Sequence, residues 1–312
     1  ETAATEDKFA LTNAIDELQA HVADMYRVHR RMIRTRRTED LFQKYSVQGR
    51  SIPRALPLNS TLLRTASALI DEWRQYALGA TEAGNLELSE AAALLAEGCA
   101  VLLDPVALAD WARRRCREAS TEDEVAVLER LVDLMNSANG HAELSDRVAE
   151  FVIDEATVHE RVVVFCPTTT LALDVAKAIQ NHVGNDAIGL HIAESDPASL
   201  DTLIRSFESS GKNNRILVSD RSAEEGRNFQ FADVVFHVGL PSDINRLEQR
   251  IGRSDRWSAE DSPIPARSYV VLSGEGADQW DTAWFRIARD GFEVFTKSIA
   301  SLQHAVDIST NR

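Results

Sequence analysis

The sequence predicts an α/β protein: an open, mostly parallel sheet flanked by helices and preceded by an all-helical region. Three observations carry this reading. From residue 162 onward, short β-branched runs such as Val162-Val163-Val164-Phe165-Cys166 alternate with segments of helical periodicity, the grammar of strands joined by helical crossovers. Those runs are apolar throughout rather than alternating, as strands buried on both faces require. Residues 60 to 136, by contrast, are helical in pattern almost without interruption.

At the N-terminus, Phe9 to Met25 places Leu11, Ile15, Leu18, Val22 and Met25 at helical spacing, so an amphipathic helix is expected. Arg27, Arg30, Arg31, Arg34, Arg36 and Arg37 follow as the densest basic cluster; a solvated helix face explains it as well as a binding role does. Gln48 to Leu58, with Gly49, Pro53 and Pro57, reads as an extended linker, because residues before proline disfavour helix. Helical stripes then run through Leu62 to Trp73, Ala91 to Leu103, Val106 to Cys116 and Val125 to Met135. Asp104-Pro105 and Ser120-Thr121 are their capping signals.

Glu143 to Glu155 is a further amphipathic helix, after which strand Val162 to Cys166 leads through Pro167-Thr168-Thr169-Thr170 into a helix ending at Val183. Strand Ala187 to Ile192, helix Ser199 to Ser209, strand Arg215 to Ser219, strand Asp233 to Val238, helix Asp243 to Ile251 and strand Arg267 to Leu272 are expected next. A long helix from Trp280 to Leu302 closes the chain. The corresponding division is 1–58, helix, arginine-rich segment and linker; 59–142, a helical insertion; and 143–312, the α/β lobe with its closing helix.

Composition narrows the function. The 312 residues are 44% hydrophobic and 27% charged, ordinary for a folded globular protein. Net charge is −15, and neither half is basic: 18 Lys and Arg face 25 Asp and Glu up to residue 150, and 16 face 24 after it. A broad basic surface for nucleic acid is therefore excluded, and any such contact must be local. Cys99, Cys116 and Cys166 have no paired spacing, which argues against a zinc site or disulfide framework and for reduced cysteines in the cytoplasm. Ala91 to Leu103 is the most apolar stretch, is interrupted by Glu97, and is too short to cross a bilayer. The chain begins with Glu1 rather than Met, so it is expected to be part of a longer protein.

Leu247-Glu248-Gln249-Arg250-Ile251-Gly252-Arg253-Ser254-Asp255-Arg256 carries the chemistry. Its three arginines recur every third residue, placing them along one face of a helix and its continuing turn. The planar guanidinium fork suits phosphate oxygens, although a solvated basic helix end has the same pattern. Upstream lie Ile216-Leu217-Val218-Ser219-Asp220 and Glu225-Gly226-Arg227-Asn228-Phe229-Gln230-Phe231-Ala232. Together these stretches resemble motifs V and VI of superfamily-two helicases, with wording nearest the RapA-like bacterial SWI/SNF-type ATPases. Thr168 to Thr170 after their strand resemble motif IV, and Trp284-Phe285 with Gly291 to Phe295 resembles the region that follows motif VI.

The resemblance implies a RecA-like fold for 143–312 and the C-terminal motor lobe of an ATP-dependent translocase on double-stranded DNA. A strand-separating DNA or RNA helicase, or a non-catalytic adaptor for nucleic acid or RNA polymerase, are the alternatives. Arg253 and Arg256 then match the arginine fingers, and Gln249 the residue that orients the attacking water or γ-phosphate. Ser219, Asp220, Glu225 and Gly226 match the turn that couples nucleotide to nucleic-acid track. Thr168, Thr169 and Thr170 match contacts to a strand phosphate; helix capping needs only one of them. Arg250 matches a nucleotide-site position, while an ion pair with Asp255 or Glu248 is the reading preferred for it, and Glu224 and Glu225 read as solvated carboxylates. Two departures stand out: Trp257-Ser258 where relatives continue Ile-Gly-Gln, and Ala193-Glu194-Ser195 in place of a glycine-rich turn. The sequence contains no G-x-x-x-x-G-K-[ST] loop and no Asp-Glu pair after a strand, so ATP and Mg²⁺ are expected to be held mainly by an N-terminal RecA-like lobe, and this chain alone is expected to be inactive.

Overall fold

Six parallel strands form the sheet of this computed structural model. In chain order they are β1 (Arg54–Pro57), β2 (Val162–Phe165), β3 (Ile188–His191), β4 (Ile216–Ser219), β5 (Val234–Val238) and β6 (Arg267–Leu272). Their spatial order is β1-β6-β5-β2-β4-β3. The structure describes residues 46–47, 50–119, 121–136, 140–184, 187–208, 216–224, 227–255, 257–258, 265–276 and 278–296. The expected helix Phe9 to Met25 and the cluster Arg27 to Arg37 lie outside these. The chain divides into Glu1–Ser46 and Val47–Arg312, and the sheet with its helices belongs to the second unit.

Each central strand is buried on both faces, so alternate residues feed two cores. Val162, Val164, Ile216, Val218, Val234 and Phe236 meet α5 (Gly140–Ala156) and α6 (Thr169–Val183) on one side. Val163, Phe165, Leu217 and Val235 point the other way, onto Ile204 and Phe207 of α7 (Pro197–Glu208) and onto Phe229 and Phe231. Gly189 in β3 lets α7 pack closely, since an added Cβ would come within 2.7 Å of a Leu203 methyl and 2.9 Å of the Phe207 ring and those side chains would have to shift. Farther along this face, Val270 and Leu272 pack on α8 (Ile244–Gly252) and on Phe285, Val294 and Phe295.

Four helices precede the lobe: α1 (Thr61–Glu82), α2 (Leu88–Ala100), α3 (Pro105–Glu118) and α4 (Glu122–Met135). They have their own core, in which Trp73 and Trp111 meet edge to face at 5.4 Å. Trp73 Nε1 and Arg115 Nε both donate to the buried Glu124, at 3.1 and 2.6 Å. Asp104 and Thr121 cap α3 and α4 as the sequence predicts. Asp104 also ties this block to the sheet, because its second oxygen accepts from Thr168, itself the cap of α6.

Two expectations are corrected. The linker Gln48 to Leu58 contains β1, which pairs along β6 from Arg54 opposite Tyr269 to Pro57 opposite Leu272; an edge strand tolerates proline, which lacks only a donor. The closing helix is not continuous to Leu302. Helix α9 spans Trp280–Arg286 and gives way to a π-helical turn, Ile287–Gly291. The chain then folds back with Glu293 at φ 52°, seating Val294 and Phe295 in the core against α8. Burial of those two side chains outweighs helix continuation, and residues 297–302 lie outside the described part.

Truncating Trp73 to Ala removes one of the two tryptophans of the four-helix core and a hydrogen bond to Glu124. The expected loss is about 3–5 kcal/mol, measured by urea denaturation of wild type and Trp73→Ala.

Candidate functional site

The parallel sheet brings the carboxyl ends of all strands to one edge, and the turn after β4 and helix α8 after β5 meet there. Arg221–Glu224 forms a single 3₁₀ turn that buries Ala223 and Glu224. Helix α8 starts at Asp243, whose carboxylate accepts from Asn245 N at 2.8 Å. Its arginines face the turn.

Glu224 is the junction. Its Oε2 accepts from Arg246 Nε at 3.1 Å and Nη2 at 2.6 Å; its Oε1 accepts from Arg250 Nε at 3.0 Å and also from Nη2. Its main-chain oxygen accepts from Arg253 Nε at 2.8 Å. Arg250 is fully enclosed: Nη1 donates to Gly239 O at 3.2 Å, and the guanidinium lies over the Phe165 ring at 5.3 Å. Burial lowers its pKa, partly offset by the charge and hydrogen bonds of Glu224. Gly239 turns the chain at φ 74°, a conformation in which glycine is unstrained.

These contacts correct two expectations. Arg250 pairs with Glu224 rather than with Glu248 or Asp255, and at 2% exposure it cannot reach a nucleotide. Glu224 is buried, not solvated. Its pairing with residues 22 and 26 positions later left no local pattern to read. Arg246, which periodicity alone does not single out, sits one helical turn before Arg250 and thus on the same face.

The remaining candidates separate into engaged and available groups. Ser219 is corrected as a nucleic-acid contact, because it is wholly buried and its hydroxyl donates to Val164 O at 3.1 Å. Asp220 accepts from Thr169 Oγ1 at 2.6 Å, Ala193 N at 3.1 Å, and Ser222 N and Oγ at 2.9 and 2.6 Å. Burial raises its pKa, but these hydrogen bonds outweigh it and hold the carboxyl below the usual range. It organises the turn rather than offering a free oxygen. Thr168 is used as the α6 cap and as donor to Asp104. Thr170 is exposed, and with Thr168, Arg221 and Arg246 it lines a cleft of about 510 Å³ facing α2 and α3.

Gln249 is exposed on α8. Arg253 is half-buried, fixed through Nε, with no hydrogen-bond partner for its terminal nitrogens among the described residues. Gly226 and Arg256 lie outside the described residues. No group of three or more His, Cys, Asp or Glu among the described residues could hold a metal ion, and no described helix is long and apolar enough to cross a membrane.

Residues 143–258 match the family model of the helicase conserved C-terminal domain. The RNA polymerase-associated protein RapA of Proteus mirabilis (strain HI4320) is 34% identical over 105 residues, covering 32% of this chain and 10% of that protein. The chain therefore spans about a tenth of the length of that curated relative. Among solved structures, the Hef helicase domain of Pyrococcus furiosus aligns with a TM-score of 0.49 at 16% identity, over 80% of this chain and 60% of that one.

His237, on β5, completes the interior behind the site. It stacks on Phe165 with ring centroids 6.0 Å apart, and its Nδ1 is buried without a hydrogen-bond partner. Burial, reinforced by the Arg250 charge, drives its pKa well below the usual value, so the folded protein holds it neutral. The unfolded chain binds a proton below about pH 6.5 that the folded one refuses, so this residue's effect is to reduce stability as pH falls through that value. Between pH 7.5 and 5, wild type is expected to lose more stability than His237→Phe. Parallel urea titrations of the two proteins measure the difference, and equal pH slopes would exclude the effect.

Proposed function

We propose that this chain, whose residues 143–258 match the helicase conserved C-terminal domain, serves as the second motor lobe of an ATP-dependent superfamily-two translocase on double-stranded DNA. The observation that carries the reading is the state of Arg253. A guanidinium anchored by Nε to a main-chain oxygen, with both terminal nitrogens unengaged among the described residues, is oriented and still able to accept a phosphate. It needs no rearrangement of the lobe to act.

Phosphoryl transfer depends mainly on positioning and on stabilising charge spread over the equatorial oxygens. Arg253 would supply that charge, Arg256 would add to it from the following turn, and exposed Gln249 would orient the attacking water. Arg250 would serve indirectly, by keeping α8 against the 221–224 turn. ATP and Mg²⁺ would be held mainly by the N-terminal lobe of the longer protein. Net charge −15 makes a diffuse electrostatic grip unfavourable, so nucleic acid would be met locally, along Thr170 and Arg221 of the cleft. RNA polymerase is a proposed partner because the relative that matches part of this chain is named for that association. Helices α2 and α3 of the helical block 59–142 would form one wall of the cleft, while the lobe takes in β1 as well as residues 143–312.

DNA-stimulated ATP turnover of the full-length protein tests the reading. Arg253→Lys keeps the charge but loses the fork, and turnover is expected to fall on the order of 10³-fold with an unchanged melting temperature. Wild-type turnover in both Arg253→Lys and Arg256→Lys would reject it. Displacement of a triplex-forming strand without duplex unwinding would separate a translocase from a strand-separating helicase.

A further inference from the structure

Arg50 lies in the stretch that reads as linker, yet the arginine turn is held through it. Its Nε donates to Asp255 Oδ2 at 3.0 Å, and its Nη1 to Glu248 Oε2 and to Val294 O, both at 2.7 Å. Nη2 donates to Glu248 Oε1 at 2.8 Å. The ion-paired side chains are 6%, 8% and 3% exposed for Arg50, Glu248 and Asp255. Glu248 immediately precedes Gln249 on α8, and Asp255 falls between Arg253 and Arg256. One planar group therefore grips the helix before Arg253, the turn after it, and the backbone of the segment that folds back behind both.

We propose that Arg50 is a positioning residue for the arginine fingers, linking the placement of the chain that enters the sheet as β1 to the geometry of the Arg253–Arg256 turn. This rests on the reading of Arg253 as a finger. The three acceptors belong to three separate stretches of chain, and a guanidinium fork fixes their mutual angles as well as their distances. Apolar packing lacks such direction, and buried ion pairs contribute little stability beyond a well-packed apolar replacement. Their distinctive consequence here is geometric. A finger must sit within about 0.5 Å of its productive place, and a displacement of roughly 1 Å can lower turnover by 10²-fold. Arg50 itself touches no reacting atom in this arrangement. It stands four residues before Arg54, the first residue of β1, so a shift of the entering chain would be passed to the finger turn by this side chain.

The test uses the full-length protein as wild type, Arg50→Met, Arg50→Lys, Asp255→Asn and Arg253→Lys, with kcat and KM for ATP measured separately under saturating duplex DNA and melting temperature recorded alongside. Arg50→Met is expected to lower kcat by about ten- to a hundredfold and to leave KM within about twofold, since the nucleotide cradle is untouched. Arg50→Lys, which keeps the charge without the fork, should fall between Arg50→Met and wild type. A purely structural role would lower the melting temperature and leave kcat per folded molecule at the wild-type value, and that result overturns the proposal. If Arg50→Met does not fold, wild-type kcat in both Arg50→Lys and Asp255→Asn overturns it equally. Arg253→Lys separates the two levels. Lost turnover there with wild-type kcat in the Arg50 variants rejects positioning alone, whereas wild-type turnover in Arg253→Lys rejects the finger reading and this proposal with it.

Discussion

Glu224 and the two guanidiniums that enclose it set the geometry on which the rest of the candidate site depends. Taking a carboxylate and Arg250 out of water is costly, and their attraction in the interior repays it only when geometry and further hydrogen bonds are good. Both conditions hold: Glu224 accepts from Arg246 and Arg250 through two nitrogens each, and Arg250 also reaches Gly239 O and the face of Phe165. Because the same residue's main-chain oxygen receives Arg253 Nε, one position of the turn after β4 fixes three arginines of α8 and its end. Stability alone would not call for so polar an arrangement, since an apolar core of equal volume could match it. Fixed orientation would.

Topology explains why these partners meet. Strands β4 and β5 are not neighbours; β2 lies between them. The turn after β4 and the helix after β5 therefore approach from opposite sides of β2, over its final residue Phe165. Arg250 lies on that ring, so the aromatic end of the central strand sets the depth at which the ion pair is buried. In open parallel sheets, ligands gather outside the carboxyl ends of the strands where the strand order reverses. The arginine turn sits at that edge.

What the sequence revealed followed the range of the interaction. The strands were legible because β-branched runs such as Val162 to Phe165 are apolar at every position, and that pattern belongs to strands buried on both faces. Helix caps at Asp104 and Thr121 were legible because a cap bonds a residue two or three positions away. Edge strand β1 was hidden by Pro53 and Pro57, whose local preference is the same for an extended linker and for an edge. The end of α9 depended on burial of Val294 and Phe295 against α8, some fifty residues earlier. Arg50 could not be recognised at all, since its carboxylate partners lie 198 and 205 residues away. The arginine row was found, but its division of labour was not: periodicity places Arg250 and Arg253 on one face without saying which of them that face encloses.

That division follows from local charge. Among the described residues, Arg50, Arg246, Arg250 and Arg253 converge on Glu224, Glu248 and Asp255. Arg50 faces two carboxylates, and Arg246 and Arg250 share a third. Arg253 alone of the four is held by a neutral carbonyl rather than a carboxylate, so its charge is not cancelled by the contact that orients it. A guanidinium bonded to a carboxylate must give up that pair to bind phosphate, and the exchange cancels much of the gain. One bonded through Nε to a peptide oxygen gives up nothing. In a chain of net charge −15, where diffuse attraction for a polyphosphate is unfavourable, this local surplus of positive charge is what the proposed finger role would draw on.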